Sequence, residues 1–254
     1  MTRRTALAAA LAVAVMAAGI GAFAQGRRSF RWGGVNGNVE YDARLTFARV
    51  RFDSGVAGFS RRGSNGEPPW AHDYPTADIH LMKILNELTS ASPHVDGSSV
   101  VTFDDPELFN YPIAYVSEPG MWLATDSEIE GVRTYLKKGG FLIFDDFRGD
   151  DWYNLEEQMK RALPDARWVA LDHSHPIFNS FFEIKNFSFG QYGQETYYGI
   201  FQDNDPSKRL LCIAGHNQDL GEFWEFSDTG YLPIDLSNEA YKFGVNFYIY
   251  GLTH

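Results

Sequence analysis

Several short stretches of this 254-residue chain carry side chains able to do chemistry. In "GGFLIFDDFRGDDW", residues 139–152, an apolar run is followed at once by Asp145 and Asp146, then by Asp150 and Asp151. Two carboxylates at a strand end can bind a divalent cation or divide the work of acid and base. They can equally cap a following helix, a role that suits Asp150 and Asp151 better. "WAHDYP", residues 70–75, sets His72, Asp73 and Tyr74 in consecutive positions behind Trp70. Loops on a rigid scaffold often carry function, yet Trp70 and Tyr74 can also simply pin this one while Asp73 caps a helix. "DHSHPIF", residues 172–178, puts His173 and His175 on one face of an extended segment. Without an identified third ligand they read as hydrogen-bonding histidines rather than a metal pair. "GHNQDLGEFWEF", residues 215–226, gathers His216, Asn217 and Asp219 ahead of Trp224. Asp219 could orient His216 as a base, and a turn needs the same residue types for backbone reasons.

Other chemistries lack their residues. No G-x-S-x-G elbow, P-loop, G-x-G-x-x-G or paired C-x-x-C occurs. Cys212 is the one cysteine, so no intramolecular disulfide forms. It lies in the apolar run 210–214 and reads as a small buried hydrophobe rather than a nucleophile.

The elements that must position these groups follow a βα rhythm. Residues 45–52 alternate Leu45, Phe47, Val50 and Phe52 with arginines and read as a strand. The Gly-, Arg- and Ser-rich stretch 54–69 reads as a loop. Pro75 suits the first turn of a helix whose Leu81, Ile84, Leu85 and Leu88 form one apolar face. Residues 100–103, 113–116 and 141–144 have strand length, and so do 168–171. Between them "TDSE", residues 125–128, is a capping box that opens a helix ending at Lys137-Lys138-Gly139-Gly140. Residues 155–163 read as another helix. In the last third, 210–214 and 223–226 read as strands, and Ser237 reads as the cap of a final helix carrying Ala240, Phe243, Phe247 and Tyr250. Strands alternating with helices imply a parallel sheet with ligands beyond its carboxyl edge.

Residues 1–24 are set apart from the fold. Arg3 and Arg4 precede an uncharged Ala-rich stretch, and Ala22-Phe23-Ala24 is an A-x-A cleavage pattern, so the expected mature chain starts at Gln25. This reads as a signal peptide, by the general secretory route rather than the twin-arginine one, and places the protein in the periplasm or outside the cell. Residues 25–42 read as a flexible leader and 43–254 as one α/β domain. No later run is long enough to span a bilayer. The formal net charge is −11, with arginine concentrated in residues 25–66, so the acidic body is unsuited to nucleic acid.

The ordered set "WAHDYP", "GGFLIFDDF", "HPIF", "HNQDLG" with Trp224, "YLPID" and "AYKFGVNFYIYGLT" resembles the bacterial domain of unknown function 4159 family over roughly residues 43 to 253. That resemblance implies a three-layer, flavodoxin-like α/β architecture similar to class I glutamine amidotransferases, with an irregular C-terminal part. It implies no reaction. Amidotransferases use a cysteine after an inner strand with a His and a Glu. Here the matching strand end carries aspartates, and His175-Pro176 is followed by Ile177, so glutaminase activity is not expected.

These readings lead to an exported, noncatalytic ligand-binding or envelope assembly module. Its pocket is framed by Trp70, Asp73, Tyr74, Asp145, Asp146, His216, Asn217, Asp219 and Trp224, for a polar ligand such as a sugar or an envelope protein partner. The alternative is a hydrolase using Asp145 or Asp146 with His216 or His72 to activate water, with metal assistance as one form of it. No resident metal or cofactor is assigned.

Overall fold

The computed structural model describes residues 34–54, 67–190 and 192–254. The expected signal peptide, the first half of the leader and most of the loop after residue 54 lie outside the described residues. Seven strands form one sheet in the order β2-β1-β3-β4-β7-β6-β5. They are β1 (Ala48–Val50), β2 (Ser99–Val101), β3 (Ile113–Ser117), β4 (Phe141–Phe147), β5 (Trp168–Leu171), β6 (Thr196–Phe201) and β7 (Leu210–His216). The principal helices are α1 (Thr76–Leu88), α2 (Asp126–Lys137), α3 (Asp151–Ala162), α4 (Leu220–Glu225) and α5 (Ile234–Thr253).

Alternation along the strands divides the core into two layers. Ile113, Tyr115, Phe141, Ile143 and Ile213 pack with α1, α4 and α5 through Leu81, Leu85, Trp224, Phe243 and Phe247. On the opposite face Ala114, Val116, Leu142, Phe144 and Ala214 pack with α2 and α3 through Ile129, Val132, Leu155 and Met159. The result is the expected three-layer α/β architecture with a mostly parallel sheet. Its five parallel strands, β2-β1-β3-β4-β7, follow the flavodoxin-like order, which reverses direction between β1 and β3. The capping box of α2 is present: Thr125 Oγ1 accepts from Glu128 N, and Glu128 Oε2 accepts from Thr125 N.

The C-terminal third departs from the sequence reading. β6 runs antiparallel to both neighbours. Only residues 202–209 join it to β7, too few for the crossover that a parallel pair needs. Residues 223–226 are not a strand: Phe223 and Trp224 belong to α4, whose N-cap is Asp219. Ser237 does not cap α5; that helix begins at Ile234, and Ser237 is buried within it. The strand does not stop at residue 144 either: β4 runs on to Phe147, with Asp145 paired to Ser117 of β3 and Asp146 in the register shift against β7.

Candidate functional site

The strands β1, β3, β4 and β7 all run the same way, so the segments that leave them meet at one rim. The segment after β1 brings His72 and Asp73. Arg49 on β1 is completely buried beneath it and donates from Nη1 to the carbonyl oxygens of Trp70 (3.1 Å) and His72 (2.9 Å). Its Nη2 donates to Asp78 Oδ1 on α1 at 2.5 Å. Burial works against this guanidinium, but the Asp78 charge outweighs it and raises the pKa. The sheet thereby grips the backbone of the loop that presents His72.

β3 ends directly before Glu118, and the backbone N–H of Glu118 donates to the Asp145 carbonyl at 3.1 Å. At the end of β4 two adjacent aspartates take separate roles. Asp145 Oδ2 accepts from Tyr115 OH (2.8 Å) and from the backbone N–H groups of Leu220 (2.9 Å) and Gly221 (3.1 Å), at the start of α4. This is helix capping, of a helix far along the chain. Asp146 has a left-handed φ of 54°, and its Oδ2 lies 2.6 Å from His72 Nδ1. Asp73, Glu118 and Asn217 share this left-handed backbone conformation, which non-glycine residues rarely hold. Asp219 caps α4 by accepting from Glu222 N at 3.0 Å.

Three overlapping donor sets result, each with its ligand atoms within 4.8 Å of one another: His72, Asp73 and Glu222; His72, Glu118 and Asp146; Asp73, Asp146 and Asp219. Asp73 decides how this cluster is read. It is 2% exposed, and neither carboxylate oxygen receives a hydrogen bond. The Glu225 carboxyl lies beside it, and those two groups can bond only if one is protonated. Asp73 therefore does not cap α1, and it faces Asp146 and Asp219 without a donor. A Cβ on Gly221 would sit 2.3 Å from Asp73 Oδ2, so glycine is what lets α4 press against this carboxylate.

Electrostatics follow from the crowding. Burial raises the pKa of Asp73 and Asp146, and the Asp219 charge adds to both, while His72 pulls the other way. Burial and Asp219 push Asp145 up to about 7 against the hydrogen bonds from Tyr115 and Gly221. Burial, with Glu225 adding, pushes Glu67 up to about 7 against the pull of His72. For His72, burial disfavours the charged ring, but Asp73 and the bond to Asp146 overcome it and push the imidazole up to about 12. A divalent cation among Asp73, Asp146 and Asp219 would remove the charge repulsion at its source.

Beside the cluster lies a hollow of about 290 Å³ lined in part by Glu118, Asp146 and Arg148. The aromatic residues expected to wall it do not. Trp70 (4% exposed), Tyr74 (3%) and Trp224 (1%) are packed into the core, so their ring faces are not offered to a sugar. His216 is not brought to Asp219: its Nε2 pairs with Gly149 O at 3.1 Å, and its ring packs on Phe147 and Trp152. Asn217 ties loops together, accepting from Gly149 N and donating to Gln194 O. His173 packs on Phe187, and His175 Nδ1 accepts from Ile177 N. Of the expected residues, His72, Asp73, Asp146 and Asp219 converge, with Asp145 as the brace beneath them.

Sequence reasoning missed Glu118, Glu222, Arg49 and Gly221. Glu118 follows β3 just as the aspartates close β4, so the strand-end rule already pointed to it. Glu222 was hidden by reading the end of that stretch as a strand. A family model described as Domain of unknown function (DUF4159) matches residues 46–252. The chain belongs to this family. No curated protein matches the chain. Among its described residues no helix is long and apolar enough to cross a membrane. Its single thiol, Cys212, is buried on β7 and pushed up to about 12, far from the thiolate that an amidotransferase needs.

Proposed function

We propose that this domain binds one divalent cation at the β1/β3/β4/β7 rim and uses it to hydrolyse a polar substrate. The observation that carries the reading is the Asp73 carboxylate, buried, without a donor, and grouped with Asp146 and Asp219. In this reading those three carboxylates hold the cation, and an oxygen-rich set with one imidazole nearby suits Mg²⁺ or Mn²⁺. The cation lowers the pKa of its bound water. Glu118 would take the proton that this water loses as its oxygen bonds to the electrophilic centre, and protonated His72 would give one to the departing group. Water is thus divided between the two products.

The test is calorimetric titration of Mn²⁺ into chelator-treated protein, followed by turnover of a panel of nitrophenyl esters and glycosides. One site per chain is expected, weakened about tenfold or more by Asp73→Asn or Asp146→Asn, an order typical of disturbing metal-site partners. Turnover should require Mn²⁺ and fall in His72→Asn with the cation still bound. Absence of Mn²⁺ binding in the folded protein refutes the reading.

A noncatalytic binding module is the second reading. It is favoured by Asp145, whose Oδ2 at the end of β4 is committed to Tyr115 OH and to the first N–H groups of α4, a bracing role rather than a catalytic one. Cation binding without turnover across the panel would select it. For either reading we place the protein outside the cytoplasm on the pattern of residues 1–24. Mass spectrometry of exported protein should then find Gln25 as the first residue, and an intact Met1 would contradict it.

A further inference from the structure

The hollow beside the carboxylates contains an arginine that the site so far has not used. Arg148 follows β4 by one residue and shares the hollow with Glu118, Asp146, Asp150 and Asp151. Despite these acids, its guanidinium forms no ion pair among the described residues. It lies instead over the Tyr192 ring, 4.0 Å from the centroid. The ring contact leaves the guanidinium N–H groups without a carboxylate partner among the described residues while Arg148 lines the hollow. Only its backbone N–H reaches a neighbouring carboxylate, Asp151 Oδ2 at 3.3 Å.

From this arrangement we infer that the ligand of this site carries a phosphoryl group, which bridges the cation at Asp146 and the guanidinium of Arg148. This rests on the cation reading above and adds the substrate class to it. A carboxylate-lined hollow repels an anion unless two positive poles face it. The proposed cation supplies one, and the unpaired Arg148 fork supplies the other. An Arg fork matches phosphate oxygens two at a time, leaving a further oxygen for the metal. A carboxylate has only two oxygens for both partners, so a phosphoryl group fits the pair of poles better. The substrate class is then a phosphate ester, and the electrophilic centre is phosphorus.

The probe is inorganic phosphate, titrated calorimetrically with and without saturating Mg²⁺, against wild-type, Arg148→Gln and Arg148→Lys proteins of confirmed melting temperature. Mg²⁺ alone is titrated into each in parallel. Wild-type protein should bind phosphate more tightly with Mg²⁺ than without. Arg148→Gln should weaken phosphate about tenfold or more, equivalent to about 1.4 kcal/mol, while Mg²⁺ still binds; Arg148→Lys should recover part of the loss. Phosphate affinity that is indifferent to Arg148→Gln overturns the inference, as does acetate binding as tightly as phosphate. Should Mg²⁺ fail to bind at all, the cation reading falls separately. Phosphate binding that still depends on Arg148 would then support the arginine's role, and phosphate binding that does not would overturn it.

Discussion

Replacing Arg49 by Met separates the stability of the fold from the integrity of the site. Arg49 and Asp78 are both completely buried, and their contact is 2.5 Å with a second donor, Nε, at 3.1 Å. Removing the guanidinium strands a carboxylate in the core, which costs roughly 3–5 kcal/mol. At about 2–4 °C per kcal/mol for a chain of this size, the melting temperature should fall by about 6–20 °C. The double variant Arg49→Met/Asp78→Leu removes both charges, and a buried pair exchanged for apolar groups is often neutral. Most of the lost stability should therefore return. Cation affinity should not, because the carbonyls of Trp70 and His72 have lost the donors that fix the loop. The assay is thermal denaturation with and without Mn²⁺, together with Mn²⁺ titration of each variant. If the double variant melts as low as the single one, the energetics assigned to the pair are wrong. If it binds Mn²⁺ like wild type, Arg49 does not position His72 and Asp73.

Three further outcomes follow from particular contacts. Gly221→Ala places a methyl 2.3 Å from Asp73 Oδ2 and 3.0 Å from Tyr115 OH. It should cost about 1–3 kcal/mol as overpacking, although alanine is otherwise the better helix former, and should abolish Mn²⁺ binding by displacing Asp73; a variant as stable as wild type would show that α4 can move away. Stability of the cation-free protein should fall as pH rises. Asp145 is raised from 3.8 to about 7, so the folded state holds a proton that the unfolded state has released; this stabilisation is complete below about 4 and lost as pH passes 7, and the raised Asp73, Asp146 and His72 act in the same direction. Urea midpoints in chelator should be lower at pH 8 than at pH 5, with Mn²⁺ rescuing pH 8 most; a higher midpoint at pH 8 in chelator would contradict the assigned shifts. Cys212, buried and pushed up to about 12, should resist iodoacetamide in native protein at pH 8 and react once unfolded, as read by intact mass.

Much of the architecture was legible because it is written in local patterns. The capping box at Thr125, the glycines after Lys138 and the apolar run opening β4 each specify an element without help from distant residues. The strand-end rule pointed to Asp145 and Asp146, and the loop reading of "WAHDYP" singled out His72 and Asp73; His72 Nδ1 lies 2.6 Å from Asp146 Oδ2. What failed depended on partners remote in the chain. Arg49 looked like the polar side of an alternating strand, and its burial makes sense only once Asp78 and two loop carbonyls lie around it. Trp70, Tyr74 and Trp224 looked like pocket walls because large aromatics serve both cores and ligands; packing alone assigns them to the core. The aromatic 223–226 stretch suited a strand by composition, but Asp219 and Asp145 at its head start a helix instead. His216 and Asp219 are close in sequence, yet the left-handed Asn217 between them turns them toward different neighbours.

The carboxylates at the rim are drawn from the exits of separate strands, with His72 first and Glu222 last along the chain. No short peptide cut from this chain contains the whole set. Their meeting is thus a property of the finished tertiary arrangement, and an ion recognising it would favour the native state over every incomplete one by mass action. Metal uptake in such a protein would report the completion of folding as faithfully as it reports the presence of the ion.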